Sequence, residues 1–156
     1  MLKELSVATA IVSLCLLLHL AAMMHMAQWL LNRRDRLERA VGMGRHLFVL
    51  IVFFSVIVLL HVAETSIWAL FYYSRTLFND FETSLYFSMG SYTTIGYGDV
   101  VLPQNWRLLG AIEGISGVLL CGVSTAFIFT LVNFMFQIRI QGESTPVTSR
   151  LEKRET

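Results

Sequence analysis

Three stretches of this chain run almost without charge. From Leu5 to Asn32 there is no Asp, Glu, Lys or Arg. From His46 to Ser74 the only such residue is Glu64, and from Leu108 to Ile138 the only one is Glu113. A bilayer core takes about 20 apolar helical residues, so each stretch is long enough to cross with some tilt. Buried helices of a soluble bundle would keep a polar face, and these stretches have none. The pattern predicts three transmembrane helices. The first stretch follows Lys3, as a signal peptide would, but it is long for an apolar signal core. No small-x-small cleavage site precedes the arginines that follow, so a retained helix over 1–32 is expected.

The segment between the second and third stretches reads differently. Asn79 is placed to cap a helix, with Glu82 three residues on as its capping-box partner. DFETSLYFSMGSY then supports about three helical turns, too few to span. After it comes SYTTIGYGDV, where Gly96 and Gly98 stand two apart. Non-helical backbone at membrane depth is tolerated only inside protein or along a watery path. A short helix over 80–92 followed by a glycine-containing turn over 93–99 is therefore a re-entrant loop. Alternating glycines let successive carbonyls point the same way, and a column of such oxygens replaces a cation's hydration shell. The Thr94 hydroxyl adds an oxygen at the inner end. The carboxyl end of the short helix, partially negative, also favours cations.

Thr94-Ile95-Gly96-Tyr97-Gly98-Asp99 resembles the selectivity-filter signature of potassium channels, TVGYGD, with Ile95 in place of valine. The resemblance covers roughly residues 47–138: outer helix 47–74, pore helix 80–92, filter 93–99 and inner helix 106–138. It implies an all-α membrane protein assembled as a homotetramer, because one chain supplies one strand of a fourfold ring. It implies K+ coordination by the carbonyls of Thr94, Ile95, Gly96 and Tyr97 and the Thr94 hydroxyl, with Gly98 completing the ion-binding stretch. Carbonyl selectivity is the general account of potassium channels and is taken from the resemblance. Tyr97 would point away from the ions into an aromatic cuff drawn from Tyr86, Phe87 and Tyr92. Asp99 would lie at the outer mouth. Thr93, Tyr92, Tyr86 and Trp106 are the expected filter supports. The chain resembles a small prokaryotic-type member with one extra N-terminal transmembrane helix.

The placement of charge gives the orientation. Arg33, Arg34, Arg36, Arg39 and Arg45 follow the first helix, and Arg139, Arg150, Lys153 and Arg154 follow the third, against Lys3, Arg75 and Arg107 on the other side. Positive residues collect on the cytoplasmic face. The amino terminus and residues 75–107 are thus expected outside, and the 33–46 connector and 139–156 tail inside. Asp35 and Glu38 among the arginines, beside a membrane span, favour anionic headgroups near Arg33, Arg34, Arg36 and Arg39 over nucleic acid. The tail from Gln141, polar and containing Pro146, is expected to be frayed or disordered and too short for a ligand-binding domain. The 55% apolar content and mean hydropathy of +0.62 agree with a membrane class.

Several positions carry alternatives. Some potassium channels pair the filter Asp with a pore-helix Glu four residues before the filter threonine; here that position is Gly90, and Tyr86 or Trp106 are the candidate donors to Asp99. Glu64 and Glu113 lie within spans, where a carboxylate costs on the order of 3 kcal/mol. Glu64 shares a stripe with His61 and Trp68. Glu113 either modulates the ion path from behind the filter, or both acids are protonated or paired and pin helices. Gly117, with Gly114 and Gly122, is either a gating hinge or a close helix contact. His19, Met23 and Met26 share a face that would suit Cu(I), or simply pack. Cys15 and Cys121 read as packing residues. No apolar span carries repeated arginines, so no voltage sensor is expected, and no nucleophile–base pair or metal cluster points to an enzyme or a cofactor. The competing classes are a potassium-selective channel, a less selective cation channel (against which Tyr97 argues), and a non-conducting subunit that retains the pore fold. A potassium transporter is disfavoured because its degenerate loops repeat along one long chain.

Overall fold

In the computed structural model the described residues are 2–34, 37 and 43–152, and Arg36, Arg39, Lys153 and Arg154 lie outside them. Helix α1 spans Leu2–Asn32, α2 Met43–Ser74, α3 Phe81–Tyr92 and α4 Arg107–Glu152, with a short 3-10 turn at Gln104–Trp106 before α4. Three stretches, Glu4–Asn32, Gly44–Ser74 and Gln104–Ile138, are long and apolar enough to cross a membrane. At 1.5 Å per residue, the 31 residues of α1 exceed a bilayer core of about 30 Å. The chain is a multi-pass, all-helical membrane protein. Of the four helices α3 is the short one, with 12 residues.

Two differences from the sequence expectation concern helix ends. The cap of α3 is Asp80, not Asn79: Asp80 Oδ1 accepts from the Thr83 backbone N–H at 2.7 Å and Oδ2 from the Thr83 hydroxyl at 2.9 Å. Glu82 therefore falls one place short of a capping-box position. The tail expected to fray is instead helical through Glu152. Pro146 removes one backbone donor from that stretch, while the i→i−4 bonds on either side carry the helix past it.

Helix α3 packs against α2 and α4, and α1 lies against both α2 and α4. Packing falls into two clusters. One gathers Met23, Met26, Phe53, Ile57, Leu131 and Met135; the other gathers Ala8, Cys15, Trp68, Tyr72, Leu109 and Leu120. Met23 and Met26 are thus core residues, as is Cys15, whereas Cys121 is exposed. Lipid tails are as apolar as leucine, so spans associate through close packing and interhelical hydrogen bonds rather than through water exclusion. Leu17, Phe48, Leu59 and Leu119, each more than 60% exposed, lie on faces that lipid or further copies of the chain can cover. Just past the end of α1, Arg33 lies over Trp29, 4.8 Å from the ring centroid, and Arg34 over Phe134 at 5.9 Å.

Candidate functional site

Helix α3 delivers the glycine-rich turn. Its buried face is Ser84, Ser88 and Tyr92, at i, i+4 and i+8, one side of a helix. At its end the chain folds back on the last turn. Thr93 N–H donates to the Met89 carbonyl (3.1 Å), Thr94 N–H to Ser91 (3.0 Å) and Gly96 N–H to Gly90 (3.1 Å). Beyond this, alternate residues take left-handed backbone angles: Thr94 at φ 61°, Gly96 at 53° and Gly98 at 80°. Glycine adopts such angles freely, but threonine pays on the order of 1–3 kcal/mol. That strain at Thr94 is held by the folded-back bonds and by its hydroxyl, which donates to the Thr93 carbonyl at 2.6 Å. Alternation of hand along such a turn is the backbone pattern that lets successive carbonyls face one side. Residues 93–99 are all exposed in the single chain.

Around this turn the expected supports separate. Tyr86 stacks on Tyr97 with ring centroids 6.1 Å apart and an interplanar angle of 10°. Its hydroxyl donates to Asp99 Oδ2 at 2.8 Å, and this bond pushes the Tyr86 phenol above its ordinary range. Asp99 Oδ1 accepts from the Val100 N–H at 3.0 Å. Trp106, the other candidate donor, instead meets Phe71 edge to face and lies under Arg75. Phe87 and Tyr92 do not join Tyr97. Phe87 packs on Tyr72 and Phe78. Tyr92 turns inward, its hydroxyl donating to Glu64 Oε2 at 2.6 Å. The reason is rotational: six residues advance a helix by about 600°, which takes Tyr92 off the Tyr86 face.

Both acids within the spans, Glu64 and Glu113, are fully buried. Glu113 Oε2 accepts from the Tyr72 hydroxyl at 2.7 Å, and Oε1 meets Ser88 Oγ. Ser88 Oγ also lies 2.8 Å from the Thr65 carbonyl. A serine has one proton. Given to Thr65, it leaves the Ser88–Glu113 contact to be completed by a proton on Glu113, and all four groups are then satisfied. Glu113 thus ties α4 to α2 and α3. Glu64 faces His19 Nδ1 at 2.9 Å and His61 Nδ1 at 3.2 Å, so His19 of the first helix is committed to Glu64 rather than grouped with Met23 and Met26. Sequence reasoning missed Tyr72, Ser88 and Ser124. The four-residue spacing of Ser84, Ser88 and Tyr92 was the available signal for Ser88.

Glycines bring α4 close. A Cβ on Gly117 would overlap the Tyr92 carbonyl oxygen, and one on Gly114 would lie 3.0 Å from the Ser91 carbonyl oxygen and 3.6 Å from Thr94 Cγ2. At Gly122 nothing lies within 4 Å. A groove of about 490 Å³ runs beside the turn, lined among others by Gly90, Thr94, Gly96, Gly114 and Val118.

Two membrane-length helices that frame a capped short helix and a glycine-rich turn define a pore-loop membrane protein. A family model described as "Ion channel" matches residues 47–134, more than half of the chain, and the chain belongs to that family. Helix α1 lies outside the matched residues. Over 76 residues, 48% of its length, the chain is 38% identical to the protein named calcium-gated potassium channel TvoK of Thermoplasma volcanium. The chain spans about a fifth of that relative, 20% of its length. No solved structure matches.

Proposed function

We propose that the chain is a potassium-selective channel subunit, four copies of which surround a central filter that conducts K+ passively. The observation that carries this reading is the alternation of left-handed backbone at Thr94, Gly96 and Gly98 within the sequence TIGYGD. Carbonyls of Thr94, Ile95, Gly96 and Tyr97, with the Thr94 hydroxyl and the Gly98 turn, coordinate the ions; Asp99, Tyr86 and Thr93 hold the turn. The fourfold ring is supported by the likeness to potassium channels, in which one chain supplies one strand of each oxygen cage. The exposed Ile95 and Tyr97 and the groove beside them supply faces for neighbouring copies. Residues 47–138 form the pore domain, with 33–46 and the 139–156 tail cytoplasmic and the amino terminus outside, as the arginine placement supports. Arg33 and Arg34 meet anionic headgroups at that face, together with Arg36 and Arg39. The relative's name supports potassium as the ion; calcium gating belongs to the relative's name alone.

The test is flux from proteoliposomes containing the purified chain, with K+ and Na+ gradients in parallel and cross-linking of the subunits. Selective K+ efflux from a tetramer is expected. Equal Na+ flux would replace the reading with a less selective cation channel, and a stable monomer or dimer without flux would end it.

A further inference from the structure

Five side chains from four helices close a ring between the spans. Glu64 Oε1 faces His19 Nδ1 at 2.9 Å and His19 Nε2 faces Ser124 Oγ at 3.0 Å. Ser124 Oγ faces His61 Nε2 at 3.1 Å and His61 Nδ1 faces the Tyr92 hydroxyl at 2.8 Å. That hydroxyl returns to Glu64 Oε2 at 2.6 Å. His19 comes from α1, His61 and Glu64 from α2, Tyr92 from α3 and Ser124 from α4. Apart from His61, which is 19% exposed at its side chain, the members are buried.

Each of the five ring contacts needs one proton lying between two heavy atoms; the His61 Nδ1–Glu64 Oε2 approach at 3.2 Å cuts across the ring and is served by the same Nδ1 proton that faces Tyr92. Tyr92, Ser124 and two neutral imidazoles carry one each, and a carboxylate carries none. Four protons cannot fill five contacts, so one pair of lone pairs would face each other. A fifth proton fills the ring. It stands on His19 beside the Glu64 carboxylate, on Glu64 itself, or on His61 when the Ser124 hydroxyl turns toward His19. In every placement the unit is neutral overall, which a membrane interior favours strongly. A sixth proton leaves net charge and drives the serine hydrogen out of the ring. Full satisfaction and neutrality coincide at a single proton count.

His19, His61 and Glu64 could each offer a donor atom to a metal, all within 4.8 Å of one another. Donors held at 2.0–2.1 Å from zinc in a tetrahedron stand about 3.3 Å apart. Of these donors, His19 Nδ1 lies 2.9 Å and His61 Nδ1 3.2 Å from the Glu64 carboxylate, and all four imidazole nitrogens already face hydrogen-bond partners. A metal would have to displace a hydrogen bond at each donor atom.

We propose that this ring is a proton-binding site that holds one excess proton shared among His19, Glu64 and His61, and that its occupancy sets the position of Tyr92 beneath the filter. Tyr92 is directly followed by Thr93 and Thr94, and its carbonyl abuts Gly117, so a ring that gains or loses its fifth proton moves the base of the carbonyl turn. The first helix thereby reaches the filter through His19. The other titratable groups near the ring are Cys15 on α1 and Cys121 and Glu113 on α4. The two thiols are neutral near pH 7, and Glu113 is engaged by Tyr72 and Ser88.

The proton count is tested on the full chain in lipid, by nitrogen-15 NMR of the histidines and the carboxyl infrared band of Glu64, across about pH 5 to 9. Near pH 7 the spectra should show one imidazolium with an ionised Glu64, or neither charge. An ionised Glu64 beside two neutral rings, or two imidazoliums, overturns the site. E64Q carries the fifth proton covalently, so it should fold, show no imidazolium near pH 7, and lose the ring's titration. S124A should uncouple the two histidines and S124T should restore the coupling; a His61 titration indifferent to S124A overturns sharing. Stoichiometric zinc that a chelator strips with loss of the histidine signals also overturns it. K+ flux, which rests on the channel reading, should change with pH in the wild type and shift by about one pH unit or more in S124A. A shared proton with pH-independent flux sinks the link to the filter. A shared proton with no flux at any pH supports the ring and counts against conduction alone.

Discussion

The Tyr86 hydroxyl donates to Asp99 Oδ2 at 2.8 Å across thirteen residues, while the same ring stacks on Tyr97. One side chain of α3 therefore braces both Tyr97 and Asp99 of the proposed filter. The residue four places before Thr94 is Gly90, which has no side chain for either task. Y86F keeps the stack and deletes the bond. The expected result is a channel that assembles but shows a lower K+ to Na+ flux ratio and faster loss of flux on sustained activation. Unchanged selectivity and inactivation would remove Tyr86 as the support. The phenol is held above its ordinary value by Asp99. The bond's contribution is therefore complete below the unfolded value near 10 and is lost only as pH rises through the higher folded one. Wild-type selectivity should not change between about pH 7 and 10 through this pair.

The three inner-helix glycines make a graded series. G122A meets no atom within 4 Å and should stabilise the helix slightly, by up to about 1 kcal/mol. G114A must push against the Ser91 carbonyl at 3.0 Å and should destabilise moderately. G117A overlaps the Tyr92 carbonyl and should be the most damaging. Tetramer stability in detergent, read alongside flux, separates two roles for Gly117. Close contact predicts lost assembly and lost flux together; a hinge alone predicts intact assembly with altered opening.

Hydropathy carried the three spans because a bilayer demands an unbroken apolar length, a signal that needs no partner. TIGYGD carried the turn because left-handed backbone is written locally, in glycines. What bound the helices together was written nowhere locally. His19 and Glu64 are 45 residues apart and Ser124 is 105 from His19, so their meeting is a product of tertiary packing. The resemblance implies an aromatic cuff around Tyr97 drawn from Tyr86, Phe87 and Tyr92, but helical rotation turns Tyr92 toward Glu64. The cap slipped by one residue because Asn79 and Asp80 are both good caps, and only the Thr83 contacts decide between them.

Asp80 holds the start of α3 through Thr83. D80A should lower the thermal stability of the assembled protein, and D80N, which keeps an acceptor, should recover most of it. The carboxyl lies below its ordinary value of 3.8 because the Thr83 N–H, and then its hydroxyl, favour the ionised form. A depressed carboxylate contributes fully above its unfolded value and loses that contribution as pH falls through the folded one. Melting curves of wild type and D80N should therefore coincide more closely below about pH 3 than at pH 7. A wild-type advantage that persists unchanged into strong acid would show that the Asp80 charge is not what holds the cap.

The two buried glutamates should answer the same pair of substitutions in different ways. Glutamine at 113 donates to Ser88 Oγ and accepts from Tyr72, reproducing the protonated acid, so E113Q should fold, conduct and keep the wild-type response to pH. Alanine there strands the Tyr72 hydroxyl and the Ser88 contact in a dry interior, at about 1–3 kcal/mol for each unsatisfied group, and E113A should assemble poorly. At position 64 glutamine also completes every contact, so E64Q should match wild type in stability. Its difference is functional: with the fifth proton covalently fixed, the ring has nothing to exchange over the physiological range. Stable E64Q and E113Q tetramers, of which only E64Q has lost pH dependence, would separate a structural acid from a responsive one. Should E113Q instead abolish the pH response and E64Q preserve it, the roles assigned to the two acids are reversed, and Glu113 becomes the group acting on the ion path from behind the filter.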